Sequence, residues 1–75
     1  MTDTVLDARG LKCPLPVLRA RKAMQGLAPG DVLQVLATDP GSVKDMEAFC
    51  EATGHTLIGR DEQDCAFSFR VQKAR

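Results

Sequence analysis

Three cysteines, Cys13, Cys50 and Cys65, and a single histidine, His55, are the side chains of this sequence best suited to nucleophilic, redox or metal chemistry. Their spacing narrows the choice. No Cys-x-x-Cys pair occurs, and the wide intervals do not build a zinc ligand set with His55, so no metal site and no cofactor are expected. The odd number of cysteines also argues against a disulfide scaffold. What remains is thiol nucleophile chemistry at one or more of them. His55 follows Gly54, a helix-stop residue, and reads as the start of a strand rather than as a catalytic base.

The elements that must position the thiols follow from periodicity and turn chemistry. Thr4 to Asp7 reads as a short strand, followed by a turn at Gly10 and a helix from about Pro14 to Gln25. Pro14 suits the first helical position because its missing N–H had no intrahelical acceptor, and Pro16 still falls in the tolerant first turn. Ala28-Pro29-Gly30-Asp31 is a turn, and Val32 to Ala37 is a central strand. Asp39-Pro40-Gly41 breaks that strand, and Ser42 with Asp45 three residues on resembles a capping box opening a second helix that runs to Thr53. Gly54 is a left-handed cap. His55 to Gly59 and Ala66 to Val71 form a hairpin across the polar loop Asp61-Glu62-Gln63-Asp64. A right-handed crossover makes the first two strands parallel. The expected fold class is α/β: a two-layer βαβαββ sandwich, with a four-stranded mixed sheet and two helices on one face.

This placement separates the cysteines. Cys65 shares its alternation phase with Phe67, Phe69 and Val71, at the edge of the core, and Cys50 lies at helical spacing from Val43 and Met46, a buried small hydrophobe. Cys13 instead precedes Pro14 and takes the N-cap of the first helix, where free N–H groups and the positive end of the dipole favour an anion. A free cysteine with pKa near ~8.5 is only about 3% ionised at pH 7, and a downward shift of about one unit raises this to roughly a quarter. The dipole supplies part of that shift, with Arg9 and Lys12 contributing the remainder. The opposing reading, an accidental surface cysteine, is the ordinary one for a lone thiol.

The 75 residues suffice for one domain, 1–75, with one aliphatic core, since there are three Phe and no Trp or Tyr. The longest apolar stretches, such as Val32 to Ala37 interrupted by Gln34, are far short of the ~20 residues of a membrane helix. Met1-Thr2-Asp3-Thr4 has no basic segment leading an apolar one, so no secretory signal is expected and the cytoplasm is the expected compartment. The net charge is zero but segregated. In residues 1–30, Arg9, Lys12, Arg19, Arg21 and Lys22 outweigh Asp3 and Asp7, while residues 31–64 are strongly acidic. Along the first helix, Val17, Ala20, Ala23 and Met24 form the core side, leaving Leu15 and Leu18 framed by Arg19 and Lys22 on the outer side, a small apolar patch with a cationic rim suited to docking.

The run Leu6-Asp7-Ala8-Arg9-Gly10-Leu11-Lys12-Cys13-Pro14-Leu15-Pro16 resembles the signature of the TusA-type sulfur-carrier family, built around Cys-Pro-x-Pro after Asp-x-x-Gly. The likeness continues through Gly30 to Leu33, Ala37 to Ser42, Phe49-Cys50 and Thr53 to His55. It implies the βαβαββ fold and a sulfane sulfur carried as a persulfide on Cys13. It also implies a donor, a cysteine desulfurase or rhodanese-like protein, and an acceptor protein in tRNA thiolation, molybdenum cofactor assembly or sulfur oxidation. Cys65 matches no part of the signature.

Two rival classes are weaker. The alternative function is an RNA-binding or regulatory interaction module of similar fold; RNA binding would need a basic footprint and exposed aromatic rings, whereas the net charge is neutral and Phe49, Phe67 and Phe69 fall at core positions. A dithiol oxidoreductase would need Cys50 or Cys65 as a resolving partner for Cys13, against the buried readings of both.

Overall fold

A computed structural model describes residues 3–74. The chain runs β1 (Asp3–Ala8), α1 (Leu15–Met24), β2 (Val32–Ala37), α2 (Ser42–Thr53), β3 (Thr56–Gln63) and β4 (Ala66–Gln72). The strands form one sheet in the order β1-β2-β4-β3, with β1 and β2 parallel and the other neighbours antiparallel. This is the expected mixed sheet, and both helices cover the same face.

The alternation of β2 sets the core. Leu33, Val35 and Ala37 turn inward and are fully buried, and each sits in a rung between β1 and β4: Thr4, Leu33 and Val71; Leu6, Val35 and Phe69; Ala8, Ala37 and Phe67. Helix α1 buries Pro16, Ala20 and Met24 on these rungs, and α2 buries Ser42, Met46, Phe49 and Cys50. Cys50 is a core residue, as its spacing indicates. Val17 and Ala23 are only half-buried, because Pro16 takes the inner position in the first turn. The other sheet face is uncovered, leaving Val5 and Ile58 exposed.

Both helix starts depart from expectation. Helix α1 begins at Leu15 with Pro14 as its cap, so Cys13 lies one residue outside the N-cap, and the Cys13–Pro14 bond is cis. The capping box of α2 does not form. Ser42 is the first helical residue, its hydroxyl donating to the Asp39 carbonyl at 2.6 Å, and Gly41 occupies the cap. Gly54 closes α2 as expected, at φ 82° with its N–H bonded to the Cys50 carbonyl.

The hairpin is tighter than its polar residues suggest. Strand β3 continues through Asp61, Glu62 and Gln63, which an edge strand accommodates because one side of it faces solvent. Only Asp64 and Cys65 form the turn, both at positive φ (53° and 63°), between the paired Gln63 and Ala66. Cys65 is therefore exposed at the turn and not at the core edge, since the alternation of β4 starts one residue later.

The C-terminal end of the chain secures α1. The Lys73 ammonium donates to the carbonyls of Met24 at 2.7 Å and Leu27 at 2.6 Å, satisfying acceptors at the negative end of the helix dipole. Backbone bonds from Gly30 to Lys73 and from Lys73 to Asp31 fix the same segment. Lys73→Met should lower stability by about 1.5–3 kcal/mol in urea unfolding, the range for hydrogen bonds made by a charged group. An unchanged midpoint would show that these bonds contribute nothing net.

Candidate functional site

Parallel pairing places the carboxyl ends of β1 and β2 side by side, so the loops that follow them meet at one edge of the sheet. They are cross-linked there. Gly10, at φ 84°, turns the chain after β1 and donates its N–H to the Thr38 hydroxyl at 2.9 Å. Three residues on, the Cys13 N–H donates to Asp39 Oδ2 at 2.6 Å, while Asp39 Oδ1 accepts the Gly41 N–H at 3.3 Å. The Asp39 carboxylate thus ties the Cys13 backbone to the start of α2.

The Cys13 side chain is exposed, and its thiol donates to Asp45 Oδ2 in the first turn of α2. This contact reverses the expected electrostatics. The bond to Asp45, then desolvation, then the negative charges of Asp45 and Asp39 push the Cys13 thiol above its ordinary value. The expectation of a lowered pKa is corrected on three grounds: Cys13 is not the cap, two carboxylates face it, and Arg9 is engaged elsewhere. Arg9 pairs with Asp7 at 2.9 Å, which holds the Asp7 carboxyl at about 2. Lys12 is exposed beside Cys13, and its carbonyl accepts the Leu15 N–H at 2.8 Å.

The outer face of α1 is as its phase indicates. Leu15 is 44% and Leu18 49% exposed, and Arg19 and Lys22 lie exposed on the same helix. Arg19 and Lys22 line a shallow depression with Leu6 and Ala23. A second groove runs between the helices, lined by Val17, Arg21, Ala48 and Phe49, with Pro14 and Asp45 of the thiol site among its walls. His55 is remote in role: its Nδ1 accepts the Ala74 N–H at 3.1 Å and its ring packs against Phe49. Among the described residues no group of three or more His, Cys, Asp or Glu is arranged to hold a metal ion, and no helix is long and apolar enough to cross a membrane.

Sequence reasoning missed Asp39 and Asp45. The available signal was topological, since residues just past two adjacent parallel strands must share an edge, and both acids lie soon after β2.

The fold and site define a small α/β protein that presents one exposed, carboxylate-bonded thiol at the carboxyl edge of its parallel strand pair. The family model described as sulfurtransferase TusA matches residues 4–73, and the chain belongs to that family. The sulfur carrier protein TusA of Allochromatium vinosum is 50% identical over 72 residues, covering 96% of this chain and 95% of that protein. A Neisseria meningitidis protein provisionally named a sulfur carrier is 56% identical over 72 residues, covering 96% of this chain and 97% of its own. The crystal structure of a SirA-like protein from Desulfitobacterium hafniense superposes with a TM-score of 0.84 at 28% identity, covering 99% of this chain and all of that one.

The raised thiol has a direct consequence for reactivity. Because thiolate is the nucleophile, Cys13 should alkylate more slowly at pH 7 than a free cysteine and accelerate only as the pH rises past the ordinary thiol value. Iodoacetamide labelling followed by peptide mass analysis, which separates Cys13 from Cys65, should show the inflection of Cys13 above that of a free thiol. An inflection below it would contradict the carboxylate contact.

Proposed function

We propose that this chain is a sulfur carrier, working as a single domain, that accepts a sulfane sulfur on Cys13 as a persulfide and hands it to an acceptor protein. The observation that carries the reading is the exposed Cys13 thiol, braced by Asp39 at the sheet edge of a chain belonging to the TusA family. Sulfur exchange needs an accessible thiol and a docked partner rather than an enclosing substrate pocket, and the site is open. The protein acts as a relay and not as a stand-alone enzyme, and the transfer requires no metal or cofactor. Its partners on this reading are a cysteine desulfurase or rhodanese-like donor and an acceptor serving tRNA thiolation, molybdenum cofactor assembly or sulfur oxidation. Free thiols at Cys13, Cys50 and Cys65 accord with a reducing compartment, the cytoplasm.

Pro14 and Pro16 give the thiol a rigid approach to α1, Pro14 as the cap and Pro16 as a buried anchor. Lys12, Arg19 and Lys22 supply a cationic rim, and Leu15 and Leu18 the apolar contact, for a transient partner interface.

Incubation with a desulfurase and cysteine should add the mass of one sulfur atom to the wild-type chain. Cys13→Ser should abolish this, and Cys50→Ala and Cys65→Ala should keep it; sulfur found on Cys50 would overturn the assignment. For the docking face, Leu18→Asp and Arg19→Glu should leave unfolding and Cys13 alkylation close to wild type while slowing transfer from the protein donor. Transfer from a small persulfide should be spared. Wild-type rates from the protein donor in both variants would remove this face from the reading.

A further inference from the structure

We propose that Asp45 is a catalytic residue of sulfur uptake: it takes the Cys13 proton as the thiol attacks a docked donor and returns it to the departing donor sulfur. The proposal rests on the carrier reading and adds to it the group that moves the proton.

The need for such a group follows from the geometry. A thiol held as a neutral hydrogen-bond donor is a weak nucleophile, and the proton must leave before or during attack. The Asp45 carboxylate is the acceptor of the Cys13 S–H. Asp39, the other carboxylate at the site, is already occupied: its two oxygens accept the N–H groups of Cys13 and Gly41. His55, the usual kind of base, is bonded to Ala74 and packed on Phe49. Arg9 is paired with Asp7. Two carboxylates act on the thiol, Asp45 from α2 and Asp39 from the loop before it; Lys12 is its neighbour in the chain, and Arg21 of α1 lines the interhelical groove with Asp45. Asp45 sits in the first turn of α2, so a rigid element holds it against the thiol.

The step balances without an oxidant or reductant. The donor enters as a neutral persulfide, R–S–SH. A bond forms between Cys13 Sγ and the terminal donor sulfur as the donor S–S bond breaks. The electron pair of that bond leaves on the donor as R–S⁻. The Cys13 proton passes to Asp45 and then to R–S⁻, giving R–SH, a persulfide on Cys13 and an ionised Asp45. The transferred sulfur keeps its oxidation state.

Asp45→Asn preserves the side-chain shape and removes the base. If Asp45 both restrains the thiol at rest and accepts its proton in the reaction, two rates must move in opposite directions. Site-resolved alkylation of Cys13 by iodoacetamide at pH 7 should become several-fold faster, because the negative charge that disfavours thiolate is gone. Sulfur uptake from a desulfurase, followed by intact mass in single turnover, should slow by at least about 10-fold, short of the full gain from a positioned general base. Asp45→Glu, which keeps a carboxylate, should recover most of the uptake. Urea unfolding of each variant controls for loss of fold, and the Glu variant carries the test if the Asn variant unfolds. Faster alkylation together with faster uptake would make Asp45 a restraint only and overturn the proposal, as would no change in either rate. A wild-type chain that takes up no sulfur would overturn the carrier reading itself, which is distinct from normal uptake by both the wild type and the Asn variant.

Discussion

Parallel pairing of β1 with β2 is the constraint on which the site depends. A parallel neighbour forces both chains to leave the sheet at the same edge, so the segment carrying Cys13 and the segment opening α2 have to pack against one another. Their exposed backbone groups are then satisfied across the gap, Gly10 by Thr38 and Cys13 by Asp39, while the Asp39 carbonyl accepts from Ser42. Each of these bonds joins residues distant in sequence or fixes the start of a helix. The thiol is thus presented by a loop with the restraint of a secondary element, which suits an in-line displacement at sulfur, where attacking, transferred and leaving sulfur atoms must align.

That same convergence decides the electrostatics. Helix α2 starts just beyond Asp39, and its first turn brings Asp45 onto the sulfur of Cys13. The basic residues near Cys13 in sequence do not offset this, because Arg9 turns back to Asp7, two positions away. Sequence proximity of charge is a poor guide to field at a side chain. Two carboxylates brought from 26 and 32 residues away outweigh cations that neighbour it in the chain.

How legible the protein was in its residues divides along this line. The sheet, both helices and the buried state of Cys50 could be read because each rests on local signals: the short β-rich run of β2 between turn residues, the helical spacing of α2 and the left-handed Gly54. Helix α1 was readable from its double proline, although Pro16 is also a buried anchor that shifts the inner face by one position. Besides the charge at Cys13, two readings failed where spacing allowed more than one arrangement. Asp45 fits a capping box with Ser42 on spacing alone, but Ser42 spends its hydroxyl on the Asp39 carbonyl, leaving Asp45 for the thiol. Cys65 fits the inward phase of β4, but the tightest closure of the hairpin places it in the left-handed turn. Both outcomes are settled by tertiary geometry, which periodicity does not contain.

The opposition between an exposed thiol and a carboxylate that keeps it protonated has a physical rationale on the carrier reading. The core of the described residues is built on the three rungs and the helices packed on them, and Cys13 lies outside it, exposed. Protection must then come from protonation rather than from burial. In water the thiol is held neutral and slow toward stray electrophiles and oxidants. When a partner covers the site, water is excluded and the interaction between Asp45 and the reacting sulfur strengthens, because the local dielectric falls. The carboxylate that restrains the thiol in isolation is then placed to receive its proton in the complex. Reactivity in such a protein belongs to the docked pair, and the outer face of α1, one turn from Cys13, is where the docking surface on this reading and the chemistry adjoin.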